Sequence, residues 1–114
     1  DGGKILFTGT GRGRRASANL SGYSCAKAGQ WMLVRCLAEE LRECHICVNE
    51  LIPGPVNTAL NATENGPRAN ADLDKTGEIN KDPEDLMDLF LFIAAQSNRT
   101  GPTGQAFALN RREI

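Results

Sequence analysis

The chain has 114 residues, of which 40% are hydrophobic, and its 13 basic and 14 acidic side chains leave a formal net charge of −1. That length can bury the core of one small domain, and so even a charge balance predicts no general attraction to nucleic acid. No apolar run approaches the length of a membrane span, so no membrane partner is expected.

Gly3-Lys4-Ile5-Leu6-Phe7-Thr8 reads as a short buried strand, entered from glycine and left into Thr8-Gly9-Thr10-Gly11-Arg12-Gly13. A glycine-rich turn after a strand invites a dinucleotide fingerprint, but G-x-G-x-x-G would need glycine where Arg14 stands. Arg12, Arg14 and Arg15 read instead as a solvated basic turn. A long helix follows, with Leu33, Val34, Leu37, Ala38 and Leu41 on one side. Its other side carries Arg35, Glu39, Glu40, Arg42 and Glu43. At its head stand Tyr23 and Lys27, four residues apart and so on one helical face. A cation beside a phenol favours the phenolate, which equips a tyrosine for general acid-base work.

His45-Ile46-Cys47-Val48-Asn49-Glu50-Leu51-Ile52 forms the second strand, ended by Pro53-Gly54-Pro55. Strand, helix and strand should make a parallel pair joined by a right-handed crossover. Both strands then end at one edge of the sheet, which sets the loops after Thr8 and Ile52 side by side. Ligands of open parallel sheets bind at that edge. Residues 59–81 carry little periodicity and much Asn, Asp, Gly and Ala, and read as a long mobile loop, of the kind that often serves as an active-site lid. Asp82-Pro83-Glu84-Asp85 is a helix start with Leu86, Leu89, Phe90, Ile93 and Ala94 as the buried stripe. Gly101-Pro102-Thr103-Gly104 breaks the chain before a third strand, Gln105–Leu109. The expected sheet order is first, second, third, all parallel.

Cys25, Cys36, Cys44 and Cys47 read as buried or half-buried free thiols of a reducing, cytoplasmic compartment. Cys44-His45-x-Cys47 lacks the paired knuckles of a zinc site, so no metal is expected.

Four features in this order resemble the C-terminal half of a short-chain dehydrogenase/reductase, in the manner of 3-oxoacyl-carrier-protein reductases. They are the Gly3–Thr8 strand, Tyr23-x-x-x-Lys27 with Ala28-Gly29, Val48-Asn49 running to Pro53-Gly54-Pro55-Val56-Asn57-Thr58, and Thr103-Gly104-Gln105. The resemblance implies an α/β fold: part of a Rossmann-type, doubly wound parallel sheet, with about three strands and crossover helices. It makes residues 1–114 a single partial domain and a fragment of a longer enzyme, inactive alone, because the family's pyrophosphate loop has no counterpart here. The implied activity is NAD- or NADP-dependent hydride transfer between a carbonyl and a secondary alcohol on a small molecule. Tyr23 is then the general acid and base. Lys27 favours its ionised form and binds the nicotinamide ribose. Thr10, thirteen residues before Tyr23, occupies the place of the family's usual serine and orients the substrate oxygen. Pro53, Gly54, Val56 and Thr58 line the nicotinamide beside Tyr23 and Lys27. The helix bearing Tyr23, Lys27 and Trp31 is the expected homo-oligomer interface. The competing reading is a noncatalytic half-fold kept for association.

Overall fold

The computed structural model describes residues 2–58 and 79–110. Three strands form one open sheet in the order β1 (Gly3–Thr8), β2 (Ile46–Ile52), β3 (Ala106–Ala108), and both pairings are parallel. The crossovers carry α1 (Ser21–Glu40) and α2 (Met87–Ala95). This is the α/β, Rossmann-type partial sheet expected from the sequence.

Strand β2 lies between two neighbours, and every residue from Cys47 to Ile52 is buried. A parallel strand covered on both faces is usually apolar throughout, and here Asn49 and Glu50 interrupt the run Cys47–Ile52. Strand β1 differs from the expectation of a buried strand. None of its residues is fully buried, and Ile5 is 39% exposed, because among the described residues β1 pairs on one side only.

Val34 and Ala38 of α1 meet Val48 of β2 in the core, with Phe7, Leu37, Leu41 and Ile46 packed around them. These helix positions fall at the i, i+3, i+4, i+7 spacing of one face. Leu33 breaks from the expected stripe and is 46% exposed. At 3.6 residues per turn it is rotated by roughly 100° from Val34, which carries it off the sheet. The helix ends in a short 3-10 turn, and His45, in the left-handed region at φ 56°, turns the chain into β2.

The Asp82 start is a capping arrangement in which the Asp85 carboxylate accepts the Asp82 N–H at 2.9 Å. A 3-10 turn over Pro83–Leu86 precedes α2. Ile93 is buried and Leu86 and Leu89 are half-buried, but Phe90 (43% exposed) and Ala94 face out, so the buried stripe is narrower than expected.

The Val48-Asn49 and Thr103-Gly104-Gln105 motifs prove to be two halves of one stitch. The Val48 N–H donates to Thr103 Oγ1 at 3.0 Å, and the Gly104 N–H donates to Val48 O at 2.7 Å. Asn49 gives its amide N–H to Pro102 O at 2.9 Å and accepts the Gln105 N–H at 3.1 Å. Gly104 makes the turn at φ +72°, and β3 begins two residues later. The stitch sets the start of β3 against the middle of β2.

Of the loop expected over 59–81, residues 59–78 lie outside the described residues. Among the described residues no helix is long and apolar enough to cross a membrane. Cys25, Cys36 and Cys44 are exposed and only Cys47 is buried, which corrects the expectation for three of the four thiols: the first two lie on the outward side of α1, and Cys44 ends its 3-10 turn.

Candidate active site

The register sets Thr8 opposite Leu51, so the loops after β1 and β2 leave from one edge of the sheet. At that edge the last carbonyl of β1 is gripped by α1. Gln30 Nε2 donates to Thr8 O at 2.7 Å and Lys27 Nζ donates to the same oxygen at 3.3 Å. Lys27 Nζ also lies 3.4 Å from Gln30 Oε1. The ammonium is thereby fixed at the end of β1. Tyr23 stands one turn nearer the helix start and is 47% exposed, so its phenol is open to a ligand.

The loop carrying Thr10 is folded back on the same helix. Gly9 N–H donates to Leu51 O at 2.8 Å, Gly13 N–H to Thr10 O at 3.3 Å, and Arg14 N–H to Gly11 O at 3.0 Å. At Gly13 a Cβ would stand 3.0 Å from the Lys27 carbonyl carbon and 3.1 Å from the Ala28 nitrogen. Glycine here lets the loop rest on the backbone of α1 where Lys27 springs from it. The structure therefore brings together Lys27 and the loop of Thr10.

Pro53, Gly54, Val56 and Thr58 lie half-buried on the neighbouring loop. This segment is held by a parallel bridge between Val56 and Lys81, with Asn57 N–H donating to Lys81 O at 2.6 Å and Lys81 N–H to Pro55 O at 3.1 Å. Gly54 runs at φ +71°, and a Cβ there would meet Asn110 Oδ1 at 2.9 Å and Lys81 Nζ at 3.1 Å. Asn57 Oδ1 and Asn110 Oδ1 are buried acceptors without a hydrogen-bond partner among the described residues.

Three residues that sequence reasoning did not place in the site complete the neighbourhood. Gln30 is one, through its bond to Thr8 O. Glu50 is the second: it is 1% exposed at the centre of β2, and its Oε1 lies 3.0 Å from Arg14 Nη1. Arg14 is thus not part of a solvated basic turn, since a buried carboxylate demands a cation. Trp31 is the third, lying under the Arg14 guanidinium at 4.8 Å from its ring centroid, with Arg35 at 5.5 Å. A glutamate within a strand whose only other polar residue is Asn49 was the available signal. A cleft of about 200 Å³ is lined by Arg14, Trp31, Arg35, Glu50 and Gln105, and neither Tyr23 nor Lys27 lines it.

Residues 1–69 match the family model described as short chain dehydrogenase. The chain is 30% identical over 107 residues to the uncharacterized oxidoreductase YciK of Escherichia coli K12, covering 94% of this chain and 39% of that protein. Among solved structures it resembles carveol dehydrogenase from Mycobacterium avium in complex with NAD (27% identity, TM-score 0.76), covering 95% of this chain and 44% of that one. A short-chain dehydrogenase from E. coli CFT073 complexed with NADPH is 30% identical with a TM-score of 0.72, over 95% of this chain and 41% of the other. The chain thus spans about 39% of YciK and 41–44% of these two structures. With its parallel sheet, its Tyr23–Lys27 helix docked at the strand ends and a family match over more than half its length, the chain belongs to the short-chain dehydrogenase/reductase family of oxidoreductases.

Proposed function

We propose that residues 1–114 are a single partial domain, the C-terminal catalytic half of an NAD- or NADP-dependent enzyme that interconverts a carbonyl and a secondary alcohol on a small molecule. The observation that carries this reading is the seating of Lys27 against Thr8 O at 3.3 Å, beside the loop of Thr10 and one turn from the exposed Tyr23. A basic side chain held at a strand end, a phenol on the same helical face and a hydroxyl in the adjoining loop are the groups such a proton transfer needs.

In this reading Tyr23 gives its proton to the substrate oxygen during reduction and takes it back in the reverse direction. Lys27 stabilises the phenolate left behind and donates to the nicotinamide ribose. Thr10 donates a hydrogen bond that orients the substrate oxygen. A nicotinamide, when bound, supplies or takes up the hydride. On the Pro53–Thr58 loop, Asn57 Oδ1 is a buried acceptor in need of a donor, which supports a place for the carboxamide there. Relatives crystallised with NAD and with NADPH support either cofactor, and the carveol dehydrogenases support an alcohol substrate. Residues 59–81 serve as the substrate loop. Met32 and Leu33 of α1, 49% and 46% exposed, give a second copy an apolar surface on the helix that bears Tyr23 and Lys27.

The polypeptide made by the native source should oxidise NADH or NADPH when offered a panel of ketones and aldehydes. Tight NAD(P)H binding with no turnover of any carbonyl or alcohol would favour the noncatalytic reading. Failure to bind either nucleotide would remove the cofactor assignment altogether.

A further inference from the structure

We infer that Glu50 and Arg14 are positioning residues, a buried ion pair whose task is to hold the Gly9–Gly13 loop, and with it Thr10, in its place beside Lys27. The inference rests on the reading of Thr10 as a substrate-orienting hydroxyl.

Four observations converge on it. Glu50 sits at the centre of β2 with 1% exposure, where a carboxylate is costly unless a cation answers it. The cation comes from the loop itself: Arg14 Nη1 lies 3.0 Å from Glu50 Oε1. The other end of the loop rests on the same carboxylate, because a Cβ on Gly9 would stand 2.3 Å from Glu50 Cδ. Trp31 then lies against the guanidinium, 4.8 Å from ring centroid to Cζ, which adds a second contact on Arg14. Thr10 therefore lies between two contacts with a single buried side chain, one at Gly9 and one at Arg14.

A hydroxyl that must meet a substrate oxygen loses its effect when it moves by about 1 Å. Holding its loop by a buried charge pair rather than by surface contacts gives that accuracy. Arg14 is well suited, since its planar fork can face a carboxylate and stack on an indole together, as lysine cannot.

The test uses the polypeptide from its native source with Glu50→Gln and Arg14→Lys, each made on the natural and on the Thr10→Ala background. With Thr10 present, both substitutions should lower kcat at least tenfold while leaving the Kd for NADH or NADPH within threefold. On the Thr10→Ala background the same substitutions should change kcat less than twofold, since the hydroxyl they position is gone. Equal losses on both backgrounds would show a role in stability alone and overturn the inference. Absence of turnover in the natural enzyme would count against the proposed reaction, and the clamp is then read directly by amide hydrogen exchange. Glu50→Gln should speed exchange at Gly9, Gly13 and Arg14 at least tenfold and leave Leu41, bonded within the α1 end, unchanged. Unchanged exchange at the three loop amides overturns the inference whatever the activity.

Discussion

The two loops that leave the carboxyl edge of the sheet are held by different forces. The loop after β1 adds side-chain anchors to its backbone bonds: Lys27 and Gln30 on Thr8 O and Arg14 on the buried Glu50, with Gly13 flat against α1. The loop after β2 is fixed by backbone, through the Val56–Lys81 bridge and its two flanking hydrogen bonds. The first carries the Arg14–Glu50 ion pair, whereas on the second the buried acceptor Asn57 Oδ1 has no hydrogen-bond partner among the described residues. Buried polar atoms in folded proteins are nearly always satisfied, so Asn57 Oδ1 fits the ligand-binding part proposed for the second loop. In the proposed reading Thr10 needs a preset position and the Pro53–Thr58 loop needs an open valence, and the two loops divide along that line.

The largest loss of stability should come from breaking the charge pair. Arg14→Ala strands Glu50 in the core and should cost about 3–5 kcal/mol, measured by urea unfolding. A cost under about 1 kcal/mol would mean that the carboxylate finds water and that the first loop is not held by charge. Gly9→Ala comes next. Its methyl must displace a buried side chain from 2.3 Å, and a loss of about 2 kcal/mol is expected in the same experiment. On the second loop, Gly54→Ala should cost about 1–2 kcal/mol for the left-handed backbone at φ +71°. It should also weaken nucleotide binding, which fluorescence titration reports, while Gly9→Ala should leave that binding nearly unchanged. The smallest effect is expected for Gln30→Ala, which loses one neutral hydrogen bond to Thr8 O but leaves the Lys27 contact, about 1 kcal/mol.

Much of this was legible in the residues. The apolar runs Gly3–Thr8 and Ile46–Ile52, with punctuation by Thr8-Gly9 and Pro53-Gly54, located both strands and their common edge. The spacing of Val34, Leu37, Ala38 and Leu41 located the buried face of α1. What periodicity could not supply is the width of a buried stripe. Leu33 and Phe90 lie one position beside core residues or one turn from them, yet face outward because their burial depends on what covers the flank of each helix. The Arg14–Glu50 pair was hidden for another reason. A basic cluster in a turn and an acid in a strand each have an innocuous explanation singly, and only the fold shows that 36 residues of separation close to 3.0 Å. Asn49, Thr103 and Gly104 were legible as a motif, but the motif did not disclose that their work is to stitch β3 to β2.

The central claim is that Tyr23 carries the proton in a nicotinamide-dependent reaction. Tyr23→Phe removes one exposed oxygen from the first turn of α1 and disturbs no buried contact of the core. In the polypeptide from its native source, kcat for carbonyl reduction should fall by about 10²–10⁴-fold, with the Kd for NADH or NADPH unchanged within threefold. Turnover retained within a few-fold of the natural enzyme would contradict the account.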